Sequence, residues 1–330
     1  MNAGAGPNPC RQAAMRAGVS HQVVAWGINQ LCGSGMRSIC LGYQAIRSGD
    51  ADILICGGQE NMTRTPHLFP MRGDWERENA RFMDGMFQDA LIDPFYLHTA
   101  DTAEDIARRF RISRDEQDEL AVSSQTKCEA ALKTGIFAEE IVPIMPTKDA
   151  APLSQDETPR NGVTRTLLSR LKPVSPNGTV TAGNSSGIAD GASAVMLMRR
   201  KEADGRKLEP MAAIRSWAQA GVDPAIMGVG PIPACRKALK RAGWTVDVLD
   251  LIEANESYAA QTIYLNREMQ WDLATVNVNG GAIALGHPFG ASGARVLTTL
   301  LHEMRRRRAK RGLATLCIGG GMGIAMCLER

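Results

Sequence analysis

The chain has 330 residues, 44% hydrophobic and 22% charged, with a formal net charge of +3, enough for two or three well-filled domains. No apolar run approaches the length of a membrane span, the opening Met1-Asn2-Ala3-Gly4 lacks the charged and apolar regions of a signal peptide, and a 5% aromatic content argues against a base-stacking surface. Eight cysteines without a Cys-x-x-Cys pair argue against a disulfide framework or a local zinc site, and for a reducing, cytoplasmic setting with no nucleic-acid or membrane partner.

Residues 9–17 read as a short helix stopped by Gly18. The apolar run Val23-Val24-Ala25-Trp26 is short enough for a buried strand. After Asn29-Gln30-Leu31-Cys32-Gly33-Ser34-Gly35, the residues Met36, Ile39, Cys40, Tyr43 and Ile46 recur at helical spacing. Cys32 is therefore expected in a strand-to-helix turn, where unpaired N–H groups and the helix dipole favour a thiolate. On this stretch alone a packing role is equally open, because a free cysteine also behaves as a small hydrophobe. Residues 52–56 read as a strand running into Gly57-Gly58.

From 62 to 187 the pattern is mixed, which predicts an inserted domain with two helices. One begins at Thr102; the other begins at Ser113, where Glu116 completes a capping-box spacing, and runs to Gly135. Residues 148–176, rich in Pro, Ser, Thr and charge, predict an irregular surface excursion. Residues 192–198 read as a buried strand. Further strands are predicted at 212–220, 249–253, 274–278, 313–318 and 323–328, with helices at 233–242, 257–268 and 291–308 and a glycine-rich loop at 279–290. This alternation predicts an α/β fold with a largely parallel sheet covered on both faces. The chain then divides into 1–61 plus 188–200, an insertion at 62–187, and 201–330.

The two halves repeat. Cys-Gly-Ser-Gly at 32–35, a helix, and Ile-Leu-Ile-Cys-Gly-Gly at 53–58 match Gly-Ala-Ser-Gly at 290–293, a helix, and Ala-Thr-Leu-Cys-Ile-Gly-Gly at 314–320. The second half has a strand, a helix and a strand ahead of its helix at Ser257, whereas the first has nothing ahead of its matching helix at Pro9. Either the first half rests on a smaller sheet or the chain lacks its natural beginning.

The chemistry-bearing residues cluster in the same motifs. His287 lies in the glycine-rich stretch 277–288, Cys317 precedes three glycines, and Glu253-Ala254-Asn255-Glu256-Ser257 is a polar group at a strand end. The carboxyl ends of parallel strands collect functional groups, so Cys32, Asn255, His287 and Cys317 are expected on one rim. A cysteine beside a histidine suits covalent acyl transfer, a second cysteine offers an acid/base, and the glycines offer N–H groups to an oxyanion. A zinc site on Cys32, His287 and Cys317 is the other use of these residues, but it leaves Asn255 and the glycines without a role.

The motifs around Cys32, Asn255, His287 and Cys317, in this order over essentially the whole chain, resemble the thiolase family, of the acetyl-CoA C-acetyltransferase type. The resemblance implies a thiolase-like α/β fold: two pseudo-repeated βαβαβαββ halves in a layered αβαβα core. An inserted loop domain for CoA and oligomer contacts would join them, with the first half lacking its opening strands. It further implies ping-pong chemistry in which Cys32, activated by His287, takes an acyl group and Cys317 removes the α-proton of a second acetyl-CoA; the reverse is thiolysis. The N–H groups of Cys32 and Gly319 would hold one oxyanion, and His287 with a water on Asn255 the other. Ser186 matches a position near the CoA pantetheine, Arg160 one near its adenine, and Met227 one lining the acyl pocket. His98 opens His98-Thr99-Ala100-Asp101 where the family usually has His-Met-Gly, which bears on the pocket shape, and Tyr258 and Val174 stand where Phe is frequent. Coenzyme A is then substrate and product, with no metal and no other cofactor, and the assembly is a homodimer or homotetramer. An active thiolase and a catalytically inactive or truncated thiolase-like chain both remain open.

Overall fold

The computed structural model describes residues 2–69, 81–93, 96–145 and 150–330. Two helices form its centre, Ser34–Ser48 and Phe289–Arg307. The first presents Met36, Ile39 and Cys40 to the second, whose Val296, Leu297, Leu300 and Met304 complete a fully buried core with Leu316, Ile318, Ile324 and Met326. The two helices cross at glycines. A Cβ on Gly35 would lie 2.7 Å from the Ala294 backbone nitrogen, and one on Gly293 would meet the Met36 backbone. Gly35 and Gly293 occupy equivalent places in the two copies of the repeat, so the same residue permits close approach from both sides.

On one side of this helical layer lies an antiparallel ribbon, Ile53–Glu60 with Gly191–Met198, in register from Ile53 opposite Met198 to Glu60 opposite Gly191. On the other lies a four-stranded sheet in the order Ala213–Gly221, Met322–Glu329, Arg311–Ile318, Leu251–Ala254. Its outer face is covered by the helix Pro231–Ala242, which starts on a proline and ends at Gly243 with φ +73°. Ala259–Met269 packs beside that helix and against the helices Thr99–Arg109 and Arg114–Lys133. Among the described residues no helix is long and apolar enough to cross a membrane.

Several sequence expectations need correction. The sheet is not largely parallel. Among its four described strands only the pair Leu251–Ala254 with Arg311–Ile318 is parallel, extended by one parallel bridge from Ile252 to Val276, because Met322–Glu329 returns from its neighbour through a tight turn with Gly320 at φ +80° and Gly321 at +84°, and a hairpin return is antiparallel by construction. The run 23–26 is not a buried strand: Val24 is 85% exposed and Trp26 59%. Its carbonyls are taken by side chains of the preceding helix Pro9–Arg16, Asn8 at its cap bonding Ala25 O at 3.0 Å and Arg11 bonding Val23 O, so no ladder is needed to satisfy them.

The strand expected at 274–278 shrinks to a single bridge, Val276 with Ile252. Asp272 caps a 3₁₀ turn at Leu273–Thr275, and Asn277 then adopts φ +43°. The first insertion helix starts at Thr99 rather than Thr102. His98 acts as its cap, with Nδ1 accepting from Ala100 N at 3.0 Å while Asp101 accepts the His98 N–H at 3.1 Å. A histidine in that role carries no cap signal in sequence. The Ser113–Glu116 box stands as expected, and Gly191–Met198 is a strand exposed on alternate residues rather than buried.

Candidate active site

The first cysteine motif forms a 3₁₀ turn, Leu31–Gly33, leading into the helix Ser34–Ser48. Leu31 sits at φ +46°, a conformation costly for a branched residue, and the turn is held by side chains on either flank. Asn29 accepts from Leu31 N at 2.9 Å, and Ser34 accepts from Gln30 N at 2.8 Å while donating to Leu31 O at 2.7 Å. The turn after strand Arg311–Ile318 presses against it. A Cβ on Gly33 would strike Ile318, one on Gly319 would strike Leu31, and the Gly319 backbone N–H is directed to the Cys32 thiol.

The polar group at 255–257 follows the strand Leu251–Ala254, and Asn277 shapes its path. The Asn277 amide accepts from Ala254 N and donates to Ala254 O and Glu256, each at 2.8 Å. Glu256, buried, also accepts from Ser124 Oγ at 2.6 Å and Ile283 N at 3.2 Å, so its carboxylate is met by donors from three other segments. Asn255 and Ser257 are thereby turned toward the sheet end.

His287 follows Gly286 at φ +88°, and its N–H bonds Gly187 O at 2.9 Å. Its Nδ1 lies 2.5 Å from Ser292 Oγ, while Ser292 donates its one hydroxyl proton to Pro288 O at 2.9 Å. With that proton committed, Ser292 can only accept from the ring, so Nδ1 carries the hydrogen and Nε2 is left as the base. Ser257 Oγ lies 3.4 Å from Nε2, and Asn255 Nδ2 lies against the ring, 3.4 Å from Nε2 and 3.5 Å from Nδ1. Cys317 Sγ donates to the same Ser257 Oγ at 3.3 Å, and Asn255 Nδ2 donates to it at 3.0 Å. Asn255 Oδ1 is buried without a protein partner, a ready acceptor for water or substrate.

Electrostatics set the resting protonation. Burial, reinforced by the neighbouring Cys317, pushes the Cys32 thiol up to about 12, and burial raises Cys317 as well. Burial and the Arg295 charge lower His287 to about 3. The expectation of a preformed thiolate at Cys32 is therefore corrected: although the residue keeps some exposed surface, its sulfur packs into the apolar core, and desolvation outweighs the helix dipole and the Gly319 N–H. Near neutral pH both thiols are protonated and the imidazole is neutral. The arrangement suits proton transfer concerted with attack rather than a standing ion pair.

The other expected residues fall into two groups. Ser186 adjoins the cluster, its hydroxyl donating to Ser257 O at 3.1 Å and its backbone N–H to the same oxygen at 3.0 Å. His98 is the helix cap described above, and its neighbour Thr99 meets Tyr258 OH at 2.8 Å beside the two cysteines. Met227 is buried in the turn Pro224–Val229, and Arg160 is exposed with its backbone N–H on Gln125 Oε1 at 3.0 Å. Among the described residues no hydrogen bond ties Arg160 or Met227 to the cysteine–histidine group. Ser257, Ser292 and Asn277 were not anticipated as working residues. For Ser292 the signal was its place in the repeated Ser-Gly pair just after the histidine; for Ser257, its place beside Asn255.

Two family models match the chain, one described as thiolase, N-terminal domain, over residues 1–201 and one as thiolase, C-terminal domain, over residues 208–330. The acetyl-CoA acetyltransferase of Rhizobium meliloti is 54% identical over 332 residues, spanning 99% of this chain and 84% of that protein. That of Shinella zoogloeoides is 54% identical over 331 residues with the same shares. Among solved structures, the Bacillus anthracis acetyl-CoA acetyltransferase superposes with a TM-score of 0.93 at 38% identity, covering 98% of this chain and 83% of that one. Human mitochondrial 3-ketoacyl-CoA thiolase in complex with CoA gives 0.92 at 40% identity, covering 97% and 81%.

Proposed function

The chain belongs to the thiolase family and is an acyl-CoA acyltransferase, and from that premise we propose how its own residues divide the reaction. Thiolase chemistry joins two acetyl-CoA into acetoacetyl-CoA and CoA, or cleaves a 3-ketoacyl-CoA with CoA. In the proposed division, His287 Nε2 takes the Cys32 proton as the sulfur attacks the acyl-CoA carbonyl, and Cys317 protonates the departing CoA sulfur. Cys317, now a thiolate, removes the α-proton of the second acetyl-CoA, and the resulting enolate attacks the acyl-Cys32. The N–H groups of Cys32 and Gly319 receive the oxyanion at the acyl carbon; His287 and a water on Asn255 receive the enolate oxygen.

One observation supports this reading: Ser292 Oγ, which donates to Pro288 O, lies 2.5 Å from His287 Nδ1, an arrangement that suits a basic Nε2, and Nε2 shares a hydroxyl contact with Cys317. The complete set of groups supports an active enzyme over the inactive alternative. Coenzyme A as substrate and product is supported by the CoA complex of the human relative, and the proposed steps call on no further cofactor or metal. For this chain we assign Ser186 to the pantetheine, Arg160 to the adenine end, and Met227 and His98 to the pocket wall; Ser186, Arg160 and His98 come from an insertion at 62–187 that joins halves at 1–61 plus 188–200 and 201–330, and Met227 comes from the second half. A homodimer or homotetramer is supported by Ile55 and Met196, paired on the open face of the ribbon and 65% and 58% exposed, and is tested by analytical ultracentrifugation. A cytoplasmic setting is supported by the need for two free thiols.

The decisive assay is acetoacetyl-CoA thiolysis together with acetyl-CoA condensation. Cys32→Ala should lower both by about 10³-fold or more, and Cys317→Ala should lose α-proton exchange while Cys32 still takes up label from acetyl-CoA. Full activity in Cys32→Ala sinks the assignment.

A further inference from the structure

Ser257 has no part in the division of labour above, yet its hydroxyl sits where the two halves of the reaction meet. Three groups surround Oγ: Cys317 Sγ at 3.3 Å, Asn255 Nδ2 at 3.0 Å and His287 Nε2 at 3.4 Å. The residue is buried, so these three contacts are the ones its hydroxyl has within the protein. A hydroxyl has one proton to give and two lone pairs to receive with, which makes the roles countable. Asn255 Nδ2 can only donate. At rest His287 Nε2 has no hydrogen and can only accept, so Ser257 gives its proton to Nε2 and receives from Asn255 and from the Cys317 thiol.

We infer that Ser257 is a positioning residue whose hydroxyl couples the proton on His287 to the proton on Cys317. The inference rests on the roles proposed above for those two residues. When His287 takes the Cys32 proton, Nε2–H becomes a donor and no longer needs one. Until the second acetyl-CoA brings its oxygen to Nε2–H, the Ser257 oxygen receives from Asn255 and from His287, and its own O–H is released to turn toward Cys317. If Cys317 has given its proton to the departing CoA sulfur, the O–H finds a thiolate to stabilise. The hydroxyl takes part in three hydrogen bonds before the change and three after it.

No bond within Ser257 breaks. The Cys32 proton ends on Nε2, the Cys317 proton ends on CoA, and the serine proton stays on its oxygen while the O–H rotates. The reverse rotation follows when Cys317 takes the α-proton and Cys32 recovers its own from His287. The state favoured by the switch, imidazolium with Cys317 thiolate, is the one the second half-reaction needs. Burial alone opposes it, since it raises the Cys317 thiol and depresses His287, whereas the Ser257 hydrogen bond acts to lower Cys317.

The test is the pH dependence of α-hydrogen exchange of acetyl-CoA into deuterated solvent, followed by NMR in the full chain, beside acetylation of Cys32 read by mass. Ser257→Ala is expected to move the half-maximal pH of exchange upward by about one to two units, as loss of a hydrogen bond to a charged group requires. Exchange at neutral pH should fall about 10- to 100-fold, with a smaller fall in Cys32 acetylation. Ser257→Thr, which keeps the hydroxyl, should return the half-maximal pH toward that of the wild type, a rescue that a mere space-filling role does not predict. An unmoved half-maximal pH in Ser257→Ala overturns the switch. Exchange that survives in Cys317→Ala overturns the assignment of Cys317 itself and the switch with it, so the two failures are told apart.

Discussion

In the turn at 32–35, Ser34 gives its proton to Leu31 O and receives Gln30 N, so both bonds stay within the backbone of its own turn. In the copy at 290–293, Ser292 gives its proton to Pro288 O in the same manner but receives His287 Nδ1 instead of a backbone N–H. The two serines occupy equivalent positions, and one change of partner separates a residue that shapes a turn from one that sets a tautomer. The glycines that follow them, Gly35 and Gly293, do the same work in both copies by letting the helices cross. The repeat thus supplies the scaffold twice and, in the proposed division of roles, the chemistry once from each side: Cys32 as nucleophile from the first turn, His287 as oriented base beside the second.

Among the variants that test this comparison, the one with the largest expected effect breaks the asymmetry. Ser292→Ala frees the imidazole to take the other tautomer, and kcat should fall on the order of 10²-fold, a large share of what general base catalysis supplies. A rate within a few-fold of wild type would show that the tautomer is held by other means. Gly293→Ala attacks what the copies share. Its new Cβ meets the Met36 backbone and should cost about 1–3 kcal/mol in denaturant unfolding, against a smaller gain in helix propensity. A neutral result would mean that the crossing relaxes.

The halves also differ in what they bury. Apart from Cys32, the shifted groups of the first half are the thiols Cys40 and Cys56, pushed by burial to about 12 and 11, outside the neutral range. The rest of the chain buries, beside further thiols, carboxyls and the His287 imidazole. Burial raises Glu253 to about 8, against the opposing pull of Arg295 at 3.9 Å, and raises Glu140 to about 7. These folded carboxyls keep protons that the unfolded chain releases above its ordinary 4.5, so stability falls as pH rises from 4.5 to about 8. His287 acts in the other direction. Unfolded it binds a proton below 6.5 and folded only near 3, so stability falls as pH drops through that window. Between pH 4.5 and 6.5 the two carboxyls outweigh the one imidazole, so thermal melts should show a maximum near about pH 4.5 and a fall from there toward about pH 8, and Glu253→Gln should flatten the alkaline arm. An unchanged alkaline arm in that variant would remove Glu253 from the account. The smallest effect belongs to Ser34→Ala, which loses turn bonds worth about 1 kcal/mol and should leave the exchange profile of Cys317 in place. Comparison of that profile with the one for Ser292→Ala sharpens the contrast between the two serines.

Much of the fold was legible because it rests on short-range pattern. The period of Met36, Ile39 and Cys40, the Ser113–Glu116 box and the strand at 313–318 all read out correctly, since each depends on neighbours a few residues away. The failures share a cause. Residues 23–26 have the composition of a strand, but a strand needs a partner edge, and Asn8 and Arg11 took the carbonyls first. His98 capped a helix because Asp101 completed the box with an unusual partner. The thiolate expected at Cys32 was argued from the helix dipole, a local effect, whereas burial by residues nearly three hundred positions away, Ile318 among them, decided its protonation.

The amino-acid order by itself determined the repeat, the glycine positions that let two helices touch, and the candidates Cys32, His287 and Cys317 for the proposed nucleophile, base and second thiol. These depend on residue type and spacing, which are local properties of the chain. Which nitrogen of His287 is basic, which thiols stay protonated, and that one hydroxyl, Ser257, lies against Cys317, Asn255 and His287 together were decided only when the segments 31–33, 255–257, 287–292 and 317–319 were packed together. Hydrogen-bond direction and desolvation are properties of a surrounding, and the surrounding exists only in the folded protein.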